Sequence, residues 1–516
     1  MSHPARARLR AARTVRRERD GRPAPGEIAY GVYVAALLAA IIGVPVIRAI
    51  VLSLMSAPAR AALFDPAAAT LLALAAGALL AGALLAGRAR GPVLTDAFQA
   101  WVLTSLELRG RTTLGPAFVR SAGAAVLALT ALAGLVCLAL GLGGDVPATA
   151  LWGFLGASAL FAVLTVTAWL AGQALPALAV RLGALGIALL VAGSAVAPAA
   201  VLPYTPWGWL GASWPASAGG TVPGDAALAA GLALALVAAL ALCAVPALLD
   251  RISPATALRQ ANRWQAALTL ARTGDAAATF AAFGAPGTRG RRLHLALPRL
   301  LPLASLSRDA LVALRRPART IVGAVALTLA GGLLGVAAQR ADSVVPALAG
   351  SLLAFLALGP FCDGLRHAAD AAGRPPLLGV SVRADAAMHT LLPLAAAIVF
   401  GGSGALLLGA GSAAPWAVAS IACLVLVRAM DAAKGPLPIE LLMPVPTPMG
   451  DASVMVIALW QSDAILLALL VAGGLSIALP LWGAGAWIAL LAAAVLVAAV
   501  AIGRFDRAAQ PQGADR

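Results

Sequence analysis

Charge is scarce in this sequence: Asp, Glu, Lys and Arg make up 11% of its 516 residues, against about 25% in an ordinary soluble domain. Lysine is nearly missing. Lys434 stands alone, so the net charge of +16 is carried by arginine. A phosphate-binding loop needs Gly-x-x-x-x-Gly-Lys-Ser/Thr. Lys434 follows Asp431-Ala-Ala instead, which excludes ATP hydrolysis by this chain itself. Cysteine is thin as well. Cys137, Cys243, Cys362 and Cys423 are far apart and form no Cys-x-x-Cys pair, so neither a disulfide framework nor a metal site is indicated.

What is abundant is apolar surface. Hydrophobic residues make up 61% of the chain and mean hydropathy is +0.92. A soluble fold of this length could not hide that surface, whereas a bilayer solvates it. Apolar stretches of about 20 residues, the length a spanning helix needs, occur twelve times: 28–50, 66–87, 121–142, 149–171, 181–202, 226–249, 320–338, 343–362, 390–410, 414–430, 455–478 and 483–503. Arginine collects between alternate stretches. The first 27 residues, the loop 88–120 and the segment 250–319, with twelve Arg, are basic, whereas 143–148, 203–225, 411–413 and 479–482 contain no Arg or Lys. This is the positive-inside signature. It predicts an all-α polytopic protein of the cytoplasmic (inner) membrane, with about twelve transmembrane helices and both termini cytoplasmic. The basic loops then suit anionic membrane lipids rather than nucleic acid.

The same pattern divides the chain into a basic tail (1–27), a six-span half (28–249), an Arg-rich cytoplasmic linker (250–319), a second six-span half (320–503) and a short tail (504–516). In the linker, Ser253-Pro254 reads as a helix start and Gly274 as its stop. A second start is expected at Ser307, before the break at Arg315-Arg316-Pro317, with a turn at Gly284–Gly287 between the two helices. Aligning Arg109 on Arg383 sets an offset of 274 residues and lays the fifth span over the eleventh. It predicts two parallel halves, an internal repeat common in transporters.

Within the spans, ionisable residues are sparse, which disfavours ion or proton coupling. Arg48 and Arg428, near span ends, read as snorkelling or end-capping charges. Asp463, one or two turns into the eleventh span, is kept as an intramembrane functional candidate. The outward acids Asp65, Asp145, Asp225 and Asp342 are isolated, so a membrane glycosyltransferase lacks its carboxylates. All four histidines, His3, His294, His367 and His389, fall outside the spans. Gly401-Gly402-Ser403-Gly404 therefore reads as a close-packing face rather than a serine-protease site. No catalytic residue and no bound cofactor are expected.

Three stretches resemble ABC-2-type exporter permeases, and more narrowly the fused, double-length permeases of high-GC bacteria. They are Gly91 through Arg120, with its Leu-Thr-Ser-Leu-Glu-Leu-Arg-Gly-Arg core, Leu202-Pro-Tyr-Thr-Pro-Trp-Gly-Trp209, and Lys434 through Asp451. The resemblance implies a transport subunit, not an enzyme, served by a separate ATPase dimer that binds the ATP. It implies ATPase contact through Glu107, Arg109 and Arg111 in the first half and through Arg383 and Asp385 in the second, where the charge order differs. An outward gate would include Pro203, Tyr204, Pro206, Trp207 and Trp209; interfacial anchoring accounts for these aromatics equally well. The apolar spans suit a hydrophobic or amphipathic exported substrate. A membrane scaffold or assembly factor for envelope machinery, and a secondary transporter, are the alternatives.

Overall fold

The computed structural model describes residues 25–105, 108–144, 146–216, 224–272, 298–340, 343–374, 379–435 and 453–510, with isolated positions elsewhere. The chain divides into two compact units, Met1–Leu268 and Thr269–Arg516. Among the described residues, eleven helices are long and apolar enough to cross a bilayer. The protein is an all-α, multi-pass membrane protein.

In the first unit the spans are α1 (Ala29–Met55), α2 (Pro66–Ala89), α5 (Gly115–Gly143), α6 (Ala148–Ala174), α7 (Ala177–Val196) and α9 (Gly224–Arg251), with the short helices α3 (Ala97–Ser105) and α4 (Gly110–Thr113) after α2 and α8 (Pro206–Ala212) after α7. Asp65 starts α2, its Oδ1 accepting from the Ala67 amide at 2.7 Å with Pro66 in the first turn. The most enclosed span is α6, 56% buried, whereas α1 is 7% buried and packs on α5. Glycines let α2 and α6 meet backbone to backbone. A Cβ on Gly87 would strike the Trp169 carbonyl, and one on Gly172 the Leu84 carbonyl. Helix α10 (Pro254–Arg272) follows α9, and the Ser253 hydroxyl accepts from the Thr256 amide at 3.3 Å, as the Ser-Pro start requires.

In the second unit, α11 (Leu301–Leu314) leads into α12 (Pro317–Ala338), α13 (Val344–Ala357), α14 (Asp363–Ala371), α15 (Val382–Leu407), α16 (Gly411–Ala432), α17 (Val456–Trp482) and α18 (Ala484–Ala509). A two-residue antiparallel ribbon pairs Pro446–Thr447 with Gly450–Asp451. The most enclosed span is α16, 67% buried. The Gly401–Gly404 run packs closely, as expected: a Cβ on Gly404 would strike the Thr328 carbonyl of α12, and one on Gly331 would strike Gly401.

The structure departs from the sequence reading at several points. The eighth expected span is only the 14-residue α13, about 21 Å long against a hydrocarbon core of about 30 Å. Gly359-Pro360 ends it, because proline offers no N–H and disfavours helix at the residue before it. Ser307 does not start a helix. It lies inside α11, its hydroxyl donating back to the Leu303 carbonyl at 2.7 Å. The ninth span begins at Val382, so His389 sits within it, not outside, and is 1% exposed. The turn expected at Gly284–Gly287 lies outside the described residues.

Candidate functional site

Each unit has an end where arginine collects, and each unit's post-span segment is tied down there. In the first unit, α2 ends at Ala89 with carbonyls that no helical amide can reach. Gln260 of α10 caps them, its Nε2 donating to the carbonyls of Gly87 at 3.0 Å and Arg88 at 3.3 Å. Its Oε1 accepts from the Gly91 amide at 3.1 Å and from Gln173 Nε2 at 2.8 Å. Gln173, at the end of α6, in turn bonds both the N–H and the carbonyl of Val93, at 3.2 and 3.0 Å. Both glutamines are nearly fully buried. Above them the Arg90 guanidinium lies 4.0 Å over the Trp264 ring, and the Arg90 carbonyl accepts from Trp169 Nε1 at 2.6 Å.

Beyond this network lie the ATPase-contact candidates. Glu107 lies outside the described residues. Arg109 is exposed at the start of α4, with no capping bond from its side chain. Arg111 is held to Asp250, at the end of α9: its amide donates to Oδ1 at 2.8 Å and its Nε lies 3.8 Å from Oδ2. In the second unit Arg383 forms a two-pronged pair with Asp506, at the end of α18, with both bonds 2.7 Å. Arg383 and Arg111, the latter two residues from the Arg109 that the offset selects, thus each pair with an aspartate near the end of the last helix of their unit. Asp385 lies 3.7 Å from His389 Nε2. That imidazole belongs to a buried cluster in which Nδ1 meets Asp309 Oδ2 at 2.5 Å and the Ser305 hydroxyl at 3.3 Å, and Nε2 faces Arg308 at 3.3 Å. The cluster fastens α11 to the start of α15. Carboxylate and hydroxyl share one ring nitrogen, which is not the arrangement of a nucleophile, base and orienting acid.

Of the two expectations for Arg428, end-capping holds and snorkelling does not. The residue is 8% exposed and turns inward. Its Nε and Nη2 donate to the Phe355 carbonyl at 2.9 and 2.6 Å, and its guanidinium lies 3.7 Å over the Phe355 ring. Arg319 donates to the Gly359 carbonyl at 3.2 Å and to Asp363 at 2.7 Å. Together they cap the end of α13. Asp463 is also paired, to Lys434 Nζ at 2.5 Å and to Arg504 at 3.1 Å.

The opposite end of the first unit holds the gate candidates. Pro203 and Tyr204 form a 3-10 turn, and Tyr204 is exposed. Thr205 caps α8, accepting from the Gly208 amide at 3.2 Å, and Pro206 occupies its first turn. Trp207 is a core residue, 3% exposed, with its indole donating to Ser194 at 3.3 Å. Trp209 is half-buried and donates to the Pro203 carbonyl at 2.7 Å. Trp214 donates to the Leu63 carbonyl at 3.0 Å and meets Phe154 edge-on. The described part of the segment is thus a short helix seated on α2, α6 and α9.

No protein-family profile matches this chain, and neither does any curated protein or solved structure.

Gln173, Gln260, Asp309, His389 and Arg428 were not expected at the site. Local clues existed for Arg428, whose Asp431 lies three residues on and pairs with it at 3.4 Å, and for His389, which lies four residues after Asp385.

Proposed function

We propose that this chain is the membrane subunit of an ATP-driven exporter of the ABC-2 type, inserted in the cytoplasmic membrane as two six-helix halves, with α13 the short second helix of the second half, and both termini cytoplasmic. A separate ATPase dimer binds and hydrolyses the ATP. One observation supports this reading above the others. In each half, the segment after the second span carries an arginine paired to the aspartate at the end of the sixth: Arg111 with Asp250, and Arg383 with Asp506. A partner pressing on that segment would therefore move the last span of the same half. The enclosed fourth helix of each half, α6 and α16, would act as the pivot. The substrate would be hydrophobic or amphipathic, leaving near α8 on the charge-poor side.

Exposed ion pairs contribute little to folding, so the pairs can be reversed without unfolding the bundle. In proteoliposomes with the cognate ATPase, Arg111→Asp and Arg383→Asp should each lower stimulated ATP hydrolysis. The exchange Arg383→Asp with Asp506→Arg should restore it; at the first pair, where Asp250 also holds the Arg111 backbone amide at 2.8 Å, Arg111→Lys should retain it. Wild-type stimulation in both Arg111→Asp and Arg383→Asp would refute coupling through these segments.

A further inference from the structure

We propose that a basic cleft in the second unit binds the phosphate of an anionic phospholipid headgroup. The cleft has a volume of about 750 Å³ and lies among the end of α14, the ends of α16 and α18, and Trp460 on α17. Arg374, Lys434, Arg504 and Arg507 line it against a single carboxylate, Asp370. Asp463, behind the lining, holds Lys434 at 2.5 Å and Arg504 at 3.1 Å, so two of the four cations are fixed in place. The Lys434 ammonium also lies 4.0 Å over the Trp460 ring. Arg374 and Arg507 are exposed and, among the described residues, form no ion pair; Arg507 Nε donates to Gly503 of its own helix at 3.2 Å. Two anchored cations and two available ones form a preorganised receptor for a phosphoryl anion, because guanidinium groups present forked donors that match phosphate oxygens.

A lipid fits the surroundings better than a soluble phosphate. The same helices α17 and α18 present Leu459, Leu466, Leu496 and Ile502 outward, each between 45% and 67% exposed. A phosphate held in the cleft would have acyl chains beside a surface that already faces hydrocarbon. Trp460 is of the residue type that marks headgroup depth, and basic pockets between transmembrane helices attract acidic headgroups. The proposal does not depend on the exporter reading.

The test uses the purified full-length protein in neutral detergent, titrated with dioctanoyl phosphatidylglycerol, dioctanoyl phosphatidylcholine or inorganic phosphate. Thermal unfolding and native mass spectrometry read the binding. Phosphatidylglycerol should raise Tm and remain bound, while phosphatidylcholine should do neither. Arg374→Gln with Arg507→Gln should raise the half-saturating concentration by about thirtyfold, and Arg374→Lys with Arg507→Lys should keep most of the response. Equal binding by the Gln variant, or an equal response to phosphatidylcholine, would overturn the site. Protection by inorganic phosphate at the same concentration as the lipid would overturn the lipid assignment.

Discussion

The glutamine pair beneath the first Arg-rich end sets a quantitative test. Replacing Gln260 by Leu keeps the volume but strands the Gly91 N–H, the Gly87 and Arg88 carbonyls, and one N–H of Gln173. A buried polar group left unsatisfied costs about 1–3 kcal/mol. Water reaches Arg88 and can replace part of what its carbonyl loses. Counting only the buried Gly91 N–H and Gly87 carbonyl, at about 1 kcal/mol each at the least, sets a lower bound of about 2 kcal/mol for releasing 90–95 from the bundle. At tenfold per 1.4 kcal/mol, the released population rises about thirtyfold at the least. Cleavage of a transiently opened segment tracks that population when reclosing is fast. Trypsin cutting after Arg90 in detergent-solubilised protein should therefore accelerate by a factor of about thirty or more, with cutting after the exposed Arg109 little changed. Gln173→Leu should produce the same pattern, and the double variant less than the sum of the two, because the residues share one network. An unchanged rate at Arg90 in both single variants would refute the capping argument.

Other substitutions probe the remaining sites. Arg428→Met removes both donors to the Phe355 carbonyl, and thermal unfolding should show a loss of about 2–4 kcal/mol, reduced from the full hydrogen-bond cost by relief of a buried charge; an unchanged Tm would count against the cap. Asp309→Asn weakens the contact that fastens α11 to His389, so hydrogen exchange in 301–314 should rise while exchange in α16 stays low. Trp207→Ala empties a buried indole site, and should cost about 3–5 kcal/mol and lower the yield of folded protein. Trp209→Ala should fold but, if the Pro203 turn gates export, transport less per inserted molecule; normal transport would leave the segment as an anchor only.

The spans were legible because their signal is local. About 20 apolar residues in a row are visible in a window, whatever they pack against. Eleven of the twelve expected stretches correspond to helices of spanning length. The eighth misled because apolarity persists through Leu356, Leu358 and Phe361 while the backbone is broken at Gly359-Pro360. Hydropathy does not register a missing N–H. Candidate charges were legible one at a time, but their partners were not. Arg111 and Asp250 lie 139 residues apart and Arg383 and Asp506 lie 123 apart, so no local pattern joins them. Gln173 and Gln260 gave even less signal, since an isolated glutamine at the end of an apolar run reads as a polar edge. Their importance lies in which backbone groups they reach.

Those backbone groups reveal what the two units share. In both, the second helix of the half must end inside the protein, and its terminal carbonyls need donors. The first unit supplies a neutral amide, Gln260, to Gly87 and Arg88. The second supplies guanidinium groups, Arg428 to Phe355 and Arg319 to Gly359. The difference follows from the neighbouring charges: the end of α13 lies beside Asp363 and Asp431, which pair with Arg319 at 2.7 Å and Arg428 at 3.4 Å and hold both guanidinium groups there. A cation there meets the negative end of the helix dipole as well as the carbonyls, and the Phe355 ring offers its face to the same charge. Arg428, an arginine within an apolar run, thus serves the place where a neighbouring span is broken. An Arg428→Gln substitution could hydrogen-bond the Phe355 carbonyl but could not supply the charge, so it should recover only part of the stability that Arg428→Met loses.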